Sequence, residues 1–283
     1  MPTPSEWSLT APQKLTFEEP VTALNVRLVN GTLNIVGTDS GPARLELSAV
    51  SGPPLRVTLE DGRLTVGYED VPWRGLLAWL DRSGWQRTAT LTLAVPTATR
   101  VEAGVVGAAA VVSGVTGATD VRGVTGDVTL VALTGPVRAE SVSGALEAQS
   151  LGGDLHFNSV SGDLTLVEGR GGAVKAETVN GSMVIDLAAA SGPAGTALDL
   201  TTVSGDVALR LPSGTDADVA ATTATGAVSC AFESLTVQGH WPPRRITGRL
   251  GRGGGRIKVT TASGALALLR RPEATEAPEG KVL

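Results

Sequence analysis

Six glycines follow one another at a constant spacing of nine residues in the middle of this chain. They are Gly117, Gly126, Gly135, Gly144, Gly153 and Gly162. A similar phrase, as in Val160-Ser161-Gly162, recurs at wider spacings up to Gly264. So short a period predicts one small structural unit that is built many times and stacked on copies of itself.

The residues that follow each glycine alternate between apolar and polar. Aliphatic residues stand two and four positions after it, as in Val128 and Leu130 or Leu164 and Leu166, with mostly polar residues between them. This period of two predicts a β-strand with one buried face. Each unit is therefore predicted to be a short strand that ends at a glycine suited to a turn with positive φ.

A strand this short cannot bury its apolar face alone, so two units must face each other. Coils of about 18 residues that stack with parallel pairing form a β-solenoid. The predicted fold class is therefore all-β, a single-stranded and right-handed β-solenoid. Its core would be thin, about 10 Å from sheet to sheet, and this accounts for an aromatic content of only 3%.

The chain divides into four predicted parts. These are an N-terminal arm (1–14), an N-terminal β capping region (15–102), the solenoid repeats (103–269) and a disordered tail (270–283). Within the capping region, Trp73, Trp79 and Trp85 belong to a segment with helical spacing, which predicts a short amphipathic helical insert at 71–87. This insert either caps the open end of the solenoid or forms an exposed docking surface.

The charge balance and the apolar runs narrow the class of protein. Lysine and arginine total 23 against 28 aspartate and glutamate residues, and the net charge of -5 argues against a dedicated nucleic-acid binder. No apolar run approaches the ~18 residues of a membrane span, so no integral membrane segment is predicted. The single cysteine and the absence of a secretion signal predict a cytoplasmic protein. Association with the cell envelope through peripheral membrane contact is the alternative.

Several phrases together resemble the DUF4097 family of bacterial β-strand-repeat proteins, which carry an adhesin label. Repeated V-S-G-D-L-x-L units follow an L-x-V-P step at Leu93, Val95 and Pro96, and a late glycine-rich turn spans residues 251–255. The resemblance covers roughly residues 15–270. It implies a β-solenoid with no established enzymatic activity and no agreed catalytic residues. The tryptophan-rich insert departs from the family pattern.

Residue patterns that support catalysis or metal binding are scarce. His156 and His240 stand outside the H-E-x-x-H pattern, and the sequence contains neither G-x-S-x-G nor a phosphate-binding loop motif. Cys230 falls in the buried column four residues after a glycine, which predicts a packed, unreactive thiol. The aspartates that follow the glycines lack the continuation found in calcium-binding repeats. We predict no enzyme, no cofactor and no metal, and a hydrolase that uses one of the histidines is the third hypothesis.

Two further groups of residues are candidate interaction sites. The basic strip consists of Arg244, Arg245, Arg249, Arg252, Arg256 and Lys258. It either holds an anionic ligand or discourages edge pairing by its charge. The second group is a weakly charged strand face with Thr129, Val131, Thr165 and Val167. That face either docks a partner or is merely a surface that favours β-structure.

The predicted function is a non-enzymatic scaffold or protein-interaction module, adhesin-like in the sense of the family. Its expected partner is another protein or a second copy of the chain. The alternative is an envelope-associated binding protein for a glycan or an anionic lipid.

Overall fold

The computed structural model describes residues 5–68, 87–189, 196–239 and 242–272, and every regular element in these ranges is a β-strand. The all-β class predicted from the sequence is confirmed. The predicted helical insert at 71–87 lies outside the described residues apart from Arg87, and so does most of the predicted tail. No helix long and apolar enough to cross a membrane occurs in the ranges given above.

The described residues form 26 strands. The first eight are β1 (Ser5–Leu9), β2 (Gln13–Phe17), β3 (Ala23–Leu28), β4 (Asn30–Thr38), β5 (Ala43–Ser51), β6 (Leu55–Glu60), β7 (Arg63–Gly67) and β8 (Thr88–Pro96). The next nine are β9 (Arg100–Val105), β10 (Ala109–Ser113), β11 (Thr119–Gly123), β12 (Val128–Val131), β13 (Val137–Ser141), β14 (Leu146–Gln149), β15 (Leu155–Ser159), β16 (Leu164–Gly169) and β17 (Ala173–Thr178). The last nine are β18 (Met183–Leu187), β19 (Ala197–Thr202), β20 (Val207–Leu211), β21 (Ala217–Thr223), β22 (Val228–Cys230), β23 (Leu235–Gln238), β24 (Arg244–Leu250), β25 (Arg256–Thr261) and β26 (Leu266–Arg270).

These strands form two large and mostly parallel sheets. The first sheet has fourteen strands in the spatial order β1-β6-β7-β3-β9-β11-β13-β15-β17-β19-β25-β21-β24-β23. The second has twelve in the order β2-β5-β8-β4-β10-β12-β14-β16-β18-β20-β26-β22.

From β9 to β20 the chain alternates between the two sheets, and each strand up to β18 pairs in parallel with the strand two places further along. We call a strand of the first sheet together with an adjoining strand of the second sheet a rung. The two inward columns predicted from the glycine spacing are confirmed along this stretch, since Val128, Leu130, Leu164 and Leu166 are all buried. Aliphatic rows from both sheets form the core, in which Phe157 is the largest fully buried side chain.

At both ends of the molecule the order of the rungs in space departs from their order in the sequence. Near the N-terminus, rung β3–β4 lies between β7–β8 and β9–β10. Near the C-terminus, rung β25–β26 lies between β19–β20 and β21–β22. Antiparallel strands complete each end: β6, β5, β1 and β2 at one, β24 and β23 at the other.

The repeat glycines Gly126, Gly144 and Gly162 are required by close stacking and not by positive φ, which corrects the turn predicted from the sequence, whereas Gly172 does have a positive φ of 80°. A Cβ atom on Gly144 would lie 2.1 Å from the carbonyl oxygen of Gly126 in the neighbouring rung. A Cβ atom on Gly162 would lie 2.2 Å from the carbonyl oxygen of Gly144. None of the three has a positive φ. Successive rungs therefore stack backbone against backbone at this corner, where a residue with a side chain has no room.

Positive φ angles occur instead at the other corner, just after the strands of the second sheet. Gly114, Ala132, Ser150 and Glu168 occupy equivalent places in successive rungs, with φ between 54° and 66°. Three of these four residues carry a side chain, which the left-handed conformation disfavours. The bend directs the following residue toward the core, because Leu133 is fully buried.

Candidate functional site

The two outer faces of the molecule differ in charge. The charged face is formed by outward side chains of the first sheet from β9 to β19. It consists of Arg100, Glu102, Asp120, Arg122, Arg138, Glu140, His156, Asn158, Lys175, Glu177, Asp199 and Thr201. The low-charge face is formed by outward side chains of the second sheet from β10 to β18. It consists of Val111, Ser113, Thr129, Val131, Glu147, Gln149, Thr165, Val167 and Val184.

Acids and bases on the charged face neutralise one another. Arg122 lies 3.1 Å from Asp120 and 3.6 Å from Glu140, and Lys175 lies 2.9 Å from Glu177. The hydrogen bond from Lys175 lowers the pKa of Glu177, and the same bond raises the pKa of Lys175. Because exposed pairs of this kind contribute only about 0.2–1 kcal/mol each, their main consequence is a surface with little net charge.

A shallow groove of about 530 Å³ runs along one margin of the charged face. Ala118, Pro136 and Ala173 form part of its lining, and Arg138 and Lys175 line it as well. His156 lies between Arg138 and Lys175 in the strand register. Its Nε2 atom is 3.0 Å from the amide nitrogen of Asn158. His240, the other histidine, lies outside the described residues.

The low-charge face contains the four predicted residues, but they do not form a continuous patch. Strand β14 lies between β12 and β16, so Glu147 separates Thr129 from Thr165. Gln149 separates Val131 from Val167 in the same way. The four predicted residues are half-buried. The interruption can be read from the residues three and five positions after each glycine, provided that the repeat of Gly144, which contains Glu147 and Gln149, is included.

The basic strip is partly neutralised by aspartates that lie outside it in the sequence. Arg249 lies 2.7 Å from Asp218, Arg252 lies 3.2 Å from Asp216, and Lys258 lies 3.4 Å from Asp199. The backbone N–H of Arg252 also donates to Asp216 at 2.7 Å and, with the Arg252 side chain, lowers the pKa of that carboxyl.

The other three arginines of the strip differ from one another. Arg244 donates to the carbonyl oxygen of Gly226 at 3.2 Å. Arg245 and Arg256 are exposed and form no ion pair with any described residue. A local count of charge along the sequence overlooks the three aspartates because they precede their basic partners by 31 to 59 residues.

The remaining predictions concern the three tryptophans, the single cysteine and the absence of a metal site. Trp73, Trp79 and Trp85 lie outside the described residues. Cys230 packs against the core but is only half-buried at the edge strand β22, with its Sγ atom 3.6 Å from the carbonyl oxygen of Phe232, which corrects its predicted place in the buried column. Among the described residues, no strand of the second sheet lies on the outer side of β22, so the column is less covered there. Within the described ranges, no three or more His, Cys, Asp or Glu side chains are grouped to hold a metal ion.

A line of exposed valines was not singled out from the sequence, although it belongs to the repeat. Val142, Val160, Val179 and Val203 precede the small polar residue in successive repeats, and between 36% and 50% of each is exposed. Their backbones are joined from rung to rung, as in the 2.8 Å bond from Ser161 N to Val142 O. The V-[ST]-G phrase alone does not identify them, because Val115 and Val124 precede Thr-Gly in the same way and are buried.

Comparison with known proteins gives little further information. No family model matches the sequence, and no curated protein matches it. Among solved structures, the chain is similar to the crystal structure of a putative cell adhesion protein from Clostridium sporogenes ATCC 15579. The two are 12% identical, the alignment covers 92% of this chain and 100% of the other, and the TM-score is 0.26. Similarity at this level does not assign the chain to a family.

Proposed function

We propose that the chain is a β-solenoid of the DUF4097 type that serves as a non-enzymatic, cytoplasmic scaffold and associates with a second copy through its low-charge face. The regular return of each strand beside the strand two places earlier supports the solenoid. A non-enzymatic role is supported by the mutual pairing of the acids and bases on the charged face.

The difference in charge between the two outer faces carries this proposal. Two copies of a chain with a net charge of -5 repel each other overall. Contact through the low-charge face brings the fewest like charges together, because Glu147 is the one charged residue among those named for it, and Asp186 on β18 is buried in ion pairs with Arg210 and Arg271. The valines and threonines on either side of β14 also offer apolar area for burial.

The test is a double substitution on this face, Val131→Lys together with Val167→Lys. We expect sedimentation velocity to show a dimer for the parent and a monomer for the variant, with unchanged circular dichroism. The matched control is Asn158→Lys with Thr201→Lys, which adds the same two charges to the charged face. A parent chain that sediments as a monomer, or a variant that sediments as the parent does, would reject the proposal.

The competing function is binding of a glycan or an anionic lipid at the cell envelope. Arg245 and Arg256 support it, because they are exposed and form no ion pair with a described residue. Binding to phosphatidylserine vesicles at low salt, lost in Arg245→Ala with Arg256→Ala, would favour this function over the scaffold. Recovery of the native protein only from the cytosol after cell fractionation would argue against it.

A further inference from the structure

The rung β25–β26 occupies an unusual place, because it is inserted between two rungs that precede it in the sequence. In the first sheet, Val259 pairs with Leu200 on one side and with Ala221 on the other. In the second sheet, Leu268 pairs with Leu209 and with Cys230. Residues 197–250 thus supply both sides of a slot that residues 256–270 fill.

A glycine-rich hinge connects this rung to the preceding strand. The hinge consists of residues 251–255, Gly-Arg-Gly-Gly-Gly, and Gly251, Gly253 and Gly254 have positive φ. A Cβ atom on Gly254 would meet nothing within 4 Å, so this part of the hinge is in open space. The chain must pass across β21 and reverse its direction here, because β24 is antiparallel to β21 whereas β25 is parallel to it.

The contacts that hold the rung in the slot are local and specific. Thr261 Oγ1 donates to the carbonyl oxygen of Gly205 at 3.3 Å, and the N–H of Ala265 donates to Asp206 at 2.7 Å. The hydroxyl groups of Ser204 and Ser263 are 3.0 Å apart. A rung from a second copy would make the same contacts, so exchange leaves the stabilisation of the slot unchanged. The main cost in free energy is that of bringing two chains together.

We propose that the rung β25–β26 is exchanged between two copies of the chain that refold together at high concentration, giving an intertwined dimer in which each slot is filled by the partner's rung. The hinge decides between the closed monomer and the exchanged dimer, because it sets the effective concentration of the chain's own rung at its own slot. The exchange is separate from association through the low-charge face and uses none of its residues.

Shortening the hinge tests the role of this segment. Removing residues 252–254 leaves two hinge residues, which span at most about 11 Å between the Cα atoms of Leu250 and Arg256. The two strand spacings to be crossed are about 10 Å before any reversal of direction. With Val131→Lys and Val167→Lys added to exclude association through the low-charge face, we expect the shortened chain to have about twice the single-chain mass of 28.7 kDa by light scattering at every concentration. A folded shortened chain that stays monomeric would overturn the proposal.

A cysteine experiment uses the full-length hinge, so its result does not depend on whether the shortened chain folds. Cys230→Ala removes the native thiol, and Val131→Lys with Val167→Lys excludes association through the low-charge face. A copy with Ser204→Cys and a copy with Ser263→Cys are then unfolded together, refolded at high concentration and oxidised. We expect a disulfide between the two copies that increases with protein concentration during refolding.

The control carries Ser204→Cys and Ser263→Cys in one chain. Refolded at low concentration, it should form the disulfide within one copy, which demonstrates that the two sites meet, and this bond should then prevent dimer formation. A disulfide in this control together with none between the mixed copies would overturn the proposal.

Discussion

The Oδ1 atom of Asp127 accepts a hydrogen bond of 2.9 Å from the backbone N–H of Ala145, which stands at the equivalent position one rung further along. The same relationship joins Asp163 to Ser182 at 2.8 Å. A carboxylate in one rung therefore binds the N–H of the next rung at the turn, where no strand partner is available. The residue at the equivalent position of the next rung, Ala145 or Ser182, is neutral, which avoids the repulsion that adjacent carboxylates would experience.

Removing this carboxylate should weaken the stack by a measurable amount. We expect Asp127→Ala to lower the free energy of unfolding by about 1 kcal/mol, because the Ala145 N–H loses its partner but remains near water. Asp127→Asn should lose less, since an amide oxygen still accepts. Urea unfolding measures both, and Glu147→Ala, on the neighbouring strand, is the control that should change little. Equal losses for Asp127→Ala and Glu147→Ala would contradict the assigned role.

A single methyl group at a stacking glycine should prevent native stacking. In Gly144→Ala the Cβ atom would lie 2.1 Å from a backbone oxygen that cannot rotate away. We expect a loss above the 1–3 kcal/mol that is typical of overpacking, visible as a lower unfolding midpoint or as insoluble protein. Gly214→Ala is the matched control, because nothing lies within 4 Å of its Cβ position. Similar stability of the two variants would mean that the glycines are not held by stacking.

Replacing Ala132, which has a left-handed backbone conformation, with glycine should stabilise the folded chain. Its φ of 54° costs an L-residue about 1–2 kcal/mol, whereas glycine gives back about 0.5–1 kcal/mol through the entropy of the unfolded chain. We therefore expect Ala132→Gly to raise the free energy of unfolding by up to about 1 kcal/mol. Ala118→Gly, at an exposed position without positive φ, should lower it. Thermal unfolding compares the two, and the same sign for both would refute the argument.

The stability contributed by Asp216 should depend on pH. The hydrogen bond from the Arg252 N–H lowers the pKa of this carboxyl in the folded chain below its ordinary value of 3.8. A lowered pKa adds stability above the unfolded value, and that stability is lost as the pH falls through the folded value. We expect Asp216→Asn to be less stable than the parent at pH 7 and to match it at the acid end of a urea titration. A difference that is constant with pH would exclude the ionic contribution. Glu233→Gln serves as the exposed control.

The buried columns could be predicted because they depend on local order alone. The alternation after each glycine assigns Val128 and Leu130 to the core whichever rung lies beside them. The need for glycine was also evident, but its cause was not. Contact between Gly126 and Gly144 arises only once the rungs are stacked, and a sequence motif does not distinguish a crowded position from a left-handed one.

The neighbours of each rung could not be predicted near the C-terminus. All rungs carry a similar phrase, so the sequence does not tell whether β21 lies beside β19 or beside β25. The pairing of Arg249 with Asp218 depends on that order and was therefore missed. The same limit applies to the low-charge face, where Glu147 became relevant only when β14 was placed between β12 and β16.

The inserted position of β25–β26 also affects the course of synthesis. Residues 256–270 leave the ribosome after residues 217–250, yet they lie between those residues and all earlier rungs. Rungs from β9 to β18 can be added one at a time as the polypeptide emerges. The final part of the molecule must wait for its last strands, so translation that stops before residue 256 leaves β21 and β22 without the neighbours on which they rest.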